Sequence, residues 1–171
     1  MKTTEYNAEV LIAAGPVVTV NRADVAELRE RALRTKRGRM RLCAHNSLES
    51  KVHEMLIVHT AATYVRPHRH LGKSESFHII EGTAEIILFG DQGAVRQVIS
   101  MGDYASRRIF YYRLAEAVYH SLVITSPVLV FHEVTSGPLV RSETEAAPWA
   151  PDESDGPAVK AFMEKLRKQT V

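Results

Sequence analysis

The chain has 171 residues, 45% of them hydrophobic and 25% charged, which is enough for one globular domain with a sizeable core and short for two. Its 22 basic and 20 acidic residues leave a formal charge of only +2, which argues against nucleic acid or a membrane as the main partner. Cys43 is the only cysteine, so an internal disulfide is excluded and a reducing cytoplasm is the expected location.

The first 40 residues predict a short strand followed by an amphipathic helix. The apolar stretch 10–20 is interrupted by Gly15-Pro16 and is too short to cross a bilayer. We expect a strand at 17–20 and a helix over 22–36, with Asn21 as its N-cap. One stripe of this helix has apolar residues at helical spacing, namely Val25, Leu28, Ala32 and Leu33. Its other face carries basic side chains that we expect to be solvated, namely Arg29, Arg31, Arg34, Lys36 and Arg37.

Residues 39–45 alternate in polarity, which predicts a strand with two distinct faces. One face comprises Met40, Leu42 and Ala44. The other comprises Arg39, Arg41, Cys43 and His45. In one interpretation, this second face is exposed to solvent. In the other, Arg39, Arg41 and His45 reach a pocket or a neighbouring subunit and bind an anion, for which the planar guanidinium of arginine is suited. The second interpretation makes these three the candidate substrate-binding residues and predicts a homodimer.

The next strand, at 53–60, contains two histidines. His53-Glu54 does not continue into the helical zinc-protease pattern, because Ile57 stands where that pattern needs a second histidine. His53 and His59 are therefore expected to be polar residues on strand faces.

The segment 67–82 carries the strongest signal for a metal. In an extended strand, His68 and His70 project from one face while Arg69 points away. Glu75 follows a turn at 71–74 and can return a carboxylate to the same point, and Gly82 permits a tight reversal. An HxH pair alone is common on solvated strands, but imidazole and carboxylate together suit iron, manganese, nickel or zinc.

The rest of the chain predicts an antiparallel sandwich or barrel with a helical end. We expect strands at 83–89, 94–99, 109–114, 119–124 and 128–134, separated by turn residues. An acidic, proline-containing arm follows from Arg141, with Trp149 packed on the barrel, and a terminal helix begins at Pro157.

The spacing of His68, His70, Glu75 and Gly82 resembles the first motif of the cupin superfamily. In that superfamily a second motif supplies a further histidine, for which His120 is the candidate. This chain has Ala115-Glu116-Ala117 where that motif has Pro-x-Gly, so the course of the loop at 113–117 is open. The resemblance implies a mainly β cupin double-stranded β-helix, or jelly-roll barrel, with an N-terminal and a C-terminal helix. It also implies one divalent metal ion (Fe, Mn, Ni or Zn) bound by His68, His70, Glu75 and His120.

Further motifs are similar to the WbuC-type cupin metalloproteins. They include Arg39-x-Arg41-x-Cys43-x-His45, His53-Glu54-Met55, the segment 64–77, Phe131-His132-Glu133 and Ala147-Pro148-Trp149-Ala150-Pro151. This resemblance covers nearly the whole chain and implies a bacterial metal-binding protein associated with O-antigen or other surface-polysaccharide synthesis. It implies no particular reaction.

We expect a single cupin domain over 1–171, with N-terminal elements at 1–60, the barrel core at 61–140 and a C-terminal arm at 141–171. The favoured function is a metal-dependent enzyme, isomerase- or epimerase-like, acting on a small polar substrate such as a sugar or sugar nucleotide. Its candidate proton-transfer residues are Tyr64, Tyr111 and Tyr112, with the entrance bounded by residues 111–117, where Glu116 lies. The alternatives are a non-catalytic metal- or ligand-binding module and an iron-dependent dioxygenase.

Overall fold

A computed structural model describes residues 1–170, and in this range the chain is mainly β, with one helix before the barrel strands and one after them. The strands are β1 (Thr3–Asn7), β2 (Val10–Ala13), β3 (Arg39–Cys43), β4 (Val52–Thr60), β5 (His68–His70), β6 (Glu75–Glu81), β7 (Thr83–Phe89), β8 (Val95–Gly102), β9 (Tyr111–Leu114), β10 (Tyr119–Ile124), β11 (Val128–Ser136) and β12 (Thr144–Ala146). The helices are α1 (Arg22–Arg34) and α2 (Gly156–Gln169). The predicted bounds of β7 and β10 are confirmed without change, whereas α1 ends two residues earlier than expected.

The strands form two sheets whose order is that of a jelly roll. One sheet runs β1-β2-β3-β4-β11-β6-β9 and the other runs β12-β5-β10-β7-β8. The eight strands β4 to β11 divide between the two sheets as β4-β11-β6-β9 and β5-β10-β7-β8, which is the arrangement of a double-sheet jelly roll. The fold class expected from the sequence, a mainly β cupin-type jelly roll with an N-terminal and a C-terminal helix, is therefore confirmed.

The main core lies between the two sheets. Ile57, Phe77 and Phe131 of the first sheet pack with Ile86 and Leu122 of the second, and each is less than one-tenth exposed. These side chains alternate with outward-facing ones along their strands, as a half-buried sheet requires. The residues that share their inward faces therefore line the interior of the barrel.

Helix α1 covers the outer face of the first sheet and decides the orientation of β3. Leu28 and Ala32 pack against Met40 and Leu42, all at most 1% exposed. Because the apolar face of β3 is covered by the helix, its arginine face turns towards the barrel interior. Leu33 does not belong to the buried stripe and is 67% exposed, since it lies about 100° around the helix from Ala32.

The N-cap of α1 is confirmed, but its basic face is more ordered than expected. The Asn21 side chain accepts hydrogen bonds from the backbone N–H groups of Ala23 and Asp24. Instead of being merely solvated, three of the basic residues form ion pairs with distant carboxylates: Arg29 with Glu81, Arg31 with Glu5, and Arg37 with Glu9 and Glu153.

The predicted strand at 17–20 is wrong. The N-terminal strands are instead β1 and β2, and β2 pairs with β3 in parallel through Val10 and Arg41. Because β2 is already paired with β1 on one side and β3 on the other, the chain leaves the sheet after Ala13 and crosses its outer face, where Val18 packs against the α1 cluster.

The C-terminal segment packs on the second sheet. Strand β12 adds to the edge of β5, and Met163 and Leu166 of α2 pack with Phe89. Trp149 packs against Phe89 with ring centroids 5.0 Å apart, and its Nε1 donates to the Asp91 carbonyl, so the expected packing of the arm is confirmed. Neither helix in residues 1–170 has the length and hydropathy needed to cross a membrane. The division at residues 60 and 140 stays a prediction.

Candidate metal centre

Three histidines converge on one point inside the barrel. His68 and His70 extend from β5, and His120, paired directly opposite His68, extends from β10. One nitrogen from each ring lies within 4.8 Å of the others. Arg69 faces outward, as the strand period predicts, where it forms an ion pair with Glu145 at 2.7 Å. Alternation along a three-residue strand thus separates two imidazoles from the guanidinium between them.

Glu75 brings a carboxylate to this cluster from the opposite sheet. It begins β6 after the turn that follows His70, and it is only 4% exposed. One carboxylate oxygen, Oε1, lies 3.0 Å from Nε2 of His120 and the other, Oε2, lies 3.3 Å from Nε2 of His70. The four side chains that the sequence predicted as ligands are therefore brought together.

A hydrogen bond orients each of the three imidazoles through its Nδ1 atom. Nδ1 of His68 donates to the Arg66 carbonyl at 2.8 Å, and Nδ1 of His120 donates to the Val118 carbonyl at 2.9 Å. Nδ1 of His70 is 3.0 Å from the hydroxyl of Thr144 on β12. With Nδ1 protonated, Nε2 of a neutral imidazole presents its lone pair, which is the arrangement that metal-binding histidines require.

The two potential metal-ligand atoms that lie closest together are not joined by a hydrogen bond. Oε1 of Glu75 and Nε2 of His120 are 3.0 Å apart, yet both are buried without a hydrogen-bond partner in residues 1–170. When Nε2 of His120 carries no proton, two lone pairs at this distance repel each other unless a cation lies between them. The orphaned atoms, together with the imidazole and carboxylate donors, fit a first-row divalent metal ion.

The charges of the cluster in the metal-free protein are consistent with this fit. Burial would raise the pKa of Glu75, but the neighbouring imidazoles of His120 and His70 hold it well below its usual range. Burial and the neighbouring His120 lower the pKa of His68 to about 4. Glu75 is therefore an anion and His68 a neutral imidazole near neutral pH, which are the protonation states that a metal ion needs.

A cavity of about 250 Å³ adjoins the cluster. Its walls are largely apolar, formed by Val10, Ile57, Val65, Phe77, Leu122 and Phe131. Its polar lining outside the four clustered side chains comprises Glu9, Arg39, Arg41, His59, Ser121 and Glu133.

The predicted substrate-binding residues divide between the cavity and the outside. Arg39 and Arg41 line the cavity. His45 does not belong to the lining found in residues 1–170, and its ring stacks on His53 with centroids 4.0 Å apart. Strand β3 ends at Cys43, so the alternation that would turn His45 towards the cavity stops before it, and a contact of His45 with a neighbouring subunit stays a prediction. Cys43 is buried in the core between the sheets.

None of the three candidate tyrosines lies in the cavity lining formed by the described residues. Tyr64 donates its hydroxyl to the Pro151 carbonyl at 3.0 Å and packs under α2 beside Phe162. Tyr111 lies 52% exposed on the edge strand β9. Its neighbour Tyr112 faces inward, but its ring packs beside Phe77 in the core, and burial together with the charge of Glu75 raises the pKa of its hydroxyl.

The segment that was predicted to bound the entrance does not line the cavity. The residues 111–117 contribute nothing to the cavity lining within 1–170, and Glu116 is exposed to solvent. Instead, Glu9, Arg39 and Arg41 line the cavity at the β2–β3 side. Strand β9 forms the far edge of the seven-stranded sheet, whereas β2 and β3 extend the sheet beyond β4.

Two cavity residues were missed as functional candidates. His59 is 8% exposed, and burial together with the charges of Arg39 and Arg41 lowers its pKa to about 3. Glu133 is half-buried, and burial together with the charge of Glu75 raises its pKa to about 8. Both share a strand face with apolar core residues, Ile57 for His59 and Phe131 for Glu133. The sequence signal that could have identified them is a polar side chain at an inward-facing position of an otherwise apolar strand.

Comparisons with known proteins support the fold. A family model described as a domain of unknown function (DUF6016) matches residues 20–101. No curated protein matches the sequence. The solved structure of protein SO0799 from Shewanella oneidensis matches with a TM-score of 0.55 and 12% identity, over 75% of this chain and 85% of that one. At this identity the match shows the shared fold and nothing about activity.

Weaker matches include cupin superfamily proteins. One is a cupin superfamily protein from Desulfitobacterium hafniense, with a TM-score of 0.45 and 12% identity over 57% of this chain and 76% of that one. Another is a Bacillus subtilis oxalate decarboxylase with Mn(II) centres, with a TM-score of 0.43 and 16% identity over 57% of this chain and 24% of that one. The strand order and the clustered histidines define this protein as a cupin-type jelly roll with a group of side chains that can hold a metal.

Proposed function

We propose that this protein is a metal-dependent enzyme that acts on a small polar substrate. The observation that carries the proposal is the cavity of about 250 Å³ that directly adjoins His68, His70, Glu75 and His120. Those four side chains would hold the ion, and an ion with positions left open towards a cavity is typical of catalytic rather than structural sites. When bound, the metal would supply Lewis-acid polarisation of a carbonyl or hydroxyl group.

The protein's own groups have separable tasks in this proposal. Phe77, Leu122 and Phe131 exclude water from one side of the substrate, which strengthens electrostatic interactions in the cavity. Glu133 takes the proton-transfer role that the sequence suggested for the tyrosines, because its carboxyl group faces the cavity. Burial and the charge of Glu75 raise the pKa of Glu133 to about 8, so this carboxyl group can hold or release a proton near neutral pH.

The cavity size supports a substrate of about monosaccharide size. Ligand sites for drug-sized molecules usually enclose about 300–1,000 Å³, and this cavity is smaller. A sugar ring fits such a space, whereas a whole sugar nucleotide would have to extend through the entrance. The WbuC-type sequence motifs support a role in bacterial surface-polysaccharide (O-antigen) synthesis, with an isomerase- or epimerase-like reaction. We also retain the homodimer and the cytoplasmic location as proposals from the sequence.

Oxygen chemistry on iron is the second candidate, because three imidazoles and one carboxylate also suit that metal. Metal analysis of protein purified without a histidine tag distinguishes the two candidates. Iron would favour the dioxygenase, and zinc, manganese or nickel would favour Lewis-acid chemistry. A turnover screen with sugars and sugar nucleotides then tests the substrate class.

The metal assignment is tested with His70→Ala. We expect this variant to lose the bound metal and retain its fold, since the side chain is only partly buried at the cavity wall. The matched control is His78→Ala, which removes an exposed imidazole from β6. Metal is measured by elemental analysis and the fold by circular dichroism. Stoichiometric metal in His70→Ala would contradict the assignment, and so would loss of metal in His78→Ala.

A further inference from the structure

The cavity has a second polar end, distant from the histidine cluster. Strand pairing places Glu75 opposite Thr135 of β11 and His59 opposite Leu129, six residues earlier on the same strand. At about 3.3 Å per residue, these two backbone levels are roughly 20 Å apart along the strand. The side chains that extend inward from both levels line one cavity, so a bound molecule can contact both ends.

Most of the charge at this second end is already neutralised. Glu9 accepts hydrogen bonds from both Arg37 and Arg39, the latter at 3.1 Å. Glu153 lies 2.9 Å from Arg37 and 3.7 Å from Arg39. Two carboxylates therefore balance two guanidinium groups. Arg39, which the sequence suggested as an anion-binding residue, is committed to this network.

Arg41 is a cavity-lining cation that this network of ion pairs does not neutralise. It forms no ion pair within residues 1–170, and its closest polar contact is from Nη1 to the sulfur of Met55 at 3.6 Å. Its side chain is exposed at the cavity entrance and also lines the cavity. Because its planar fork has donors without acceptors, it is available to bind an oxyanion in a bidentate manner.

His59 supplies a second, independent indication of a ligand. It lines the same cavity as Arg41 and is 8% exposed, and its Nδ1 has no hydrogen-bond partner in residues 1–170. Buried polar atoms in native proteins are nearly always satisfied, so an unpartnered one inside a cavity indicates a missing partner. Burial and the nearby arginines keep the pKa of His59 near 3, so it is a neutral imidazole that can donate one hydrogen bond.

We infer that Arg41 and His59 form an anion-binding subsite for a carboxylate or phosphate group of the substrate. The subsite defines the substrate class as a small anionic molecule, such as a sugar acid or a sugar phosphate, whose other end reaches the histidine cluster. The link to that cluster rests on the proposed function, whereas the subsite itself rests on Arg41 and His59 alone. Glu133 lies between the two ends of the cavity and faces the bound molecule.

The test uses the two anionic groups on their own, acetate and inorganic phosphate. Each is titrated into ¹⁵N-labelled full-length protein, metal-free and zinc-loaded, and the signals of the Arg41 Nε–H and the His59 ring are followed by NMR. We expect a saturable shift in wild type and a dissociation constant raised by about tenfold or more in Arg41→Gln, because a charge-assisted hydrogen bond is lost. Arg41→Lys should recover part of the affinity, and His59→Asn should weaken binding.

The matched control is Arg113→Gln, which removes an exposed guanidinium on β9 and should bind as wild type does. The stronger of the two anions identifies the group as a carboxylate or a phosphate. Absence of a saturable shift in wild type would overturn the subsite, as would an unchanged dissociation constant in Arg41→Gln. Zinc content is measured in the same samples. Failure to bind zinc with anion binding still dependent on Arg41 would refute the metal proposal and leave the subsite standing.

Discussion

Removal of the Thr144 hydroxyl should weaken metal binding without loosening the fold. Thr144 lies on β12, which pairs with β5, and its hydroxyl is 3.0 Å from Nδ1 of His70. The other two imidazoles are held by backbone carbonyls, so this is the one such contact in residues 1–170 that a side-chain substitution removes. Loss of such an outer contact typically costs about 10–100-fold in metal affinity, which is about 1.4–2.8 kcal/mol.

The variant is Thr144→Val, which keeps the shape of the side chain and the backbone pairing of β12. Zinc affinity is measured by competition with a chromophoric chelator at fixed pH, and urea denaturation of the metal-free protein checks the fold. Thr144→Ser should restore the affinity. As a control, Thr125→Val removes a hydroxyl that donates to Thr83 at 2.7 Å on the surface, and it should not affect zinc. Equal zinc affinities for Thr144→Val and wild type would refute the reasoning that this hydroxyl orients His70.

In the metal-free protein, burial holds the pKa of His59 at about 3, below its ordinary 6.5, so the unfolded state binds more protons than the native state between these values. The free energy of unfolding is therefore highest above pH 6.5 and falls by about 2 kcal/mol by pH 5 because of this one group. Urea denaturation at pH 7 and pH 5 should show a smaller fall in the free energy of unfolding for His59→Gln than for wild type. An equal fall in both proteins would show that His59 does not titrate this way. Gly82→Ala should destabilise the fold by more than Gly72→Ala, because both glycines have positive φ but only at Gly82 would the added methyl overlap the Val128 carbonyl. The left-handed backbone alone costs about 1–2 kcal/mol, so equal thermal midpoints for the two variants would contradict the expected clash.

Local sequence patterns predicted an antiparallel β fold and three of the four side chains that can hold a metal, and the resemblance to the cupin superfamily added the jelly roll and His120. His68 and His70 share a face because a strand repeats every two residues, and this holds whatever surrounds them. Glu75 follows after a short turn, so its return to the same place also depends on a local feature. The strands β7 and β10 were predicted with their observed bounds because turn residues delimit them on both sides.

The strand at 39–45 shows where such patterns stop being sufficient. Alternation separated its two faces correctly, but both interpretations of the arginine face were compatible with it. The packing of Leu28 and Ala32 on Met40 and Leu42 decides that the arginines face the barrel. The same alternation wrongly included His45, because the strand ends at Cys43 and a periodic pattern does not report where pairing stops.

By itself, the sequence determined the antiparallel strands, the capped helix α1 and the convergence of His68, His70 and Glu75, since these follow from short-range periodicity and turn chemistry. Only the tertiary structure decided which distant residues join them. Thr144 is 74 residues from His70, and its contact depends on β12 adding to the edge of β5. His59 and Glu133 became cavity residues, and the tyrosines did not, because the packing of two sheets and two helices determines which inward faces enclose space. Contacts of that kind are made between segments whose separation in sequence carries no periodic signal, so they are specified by the fold as a whole.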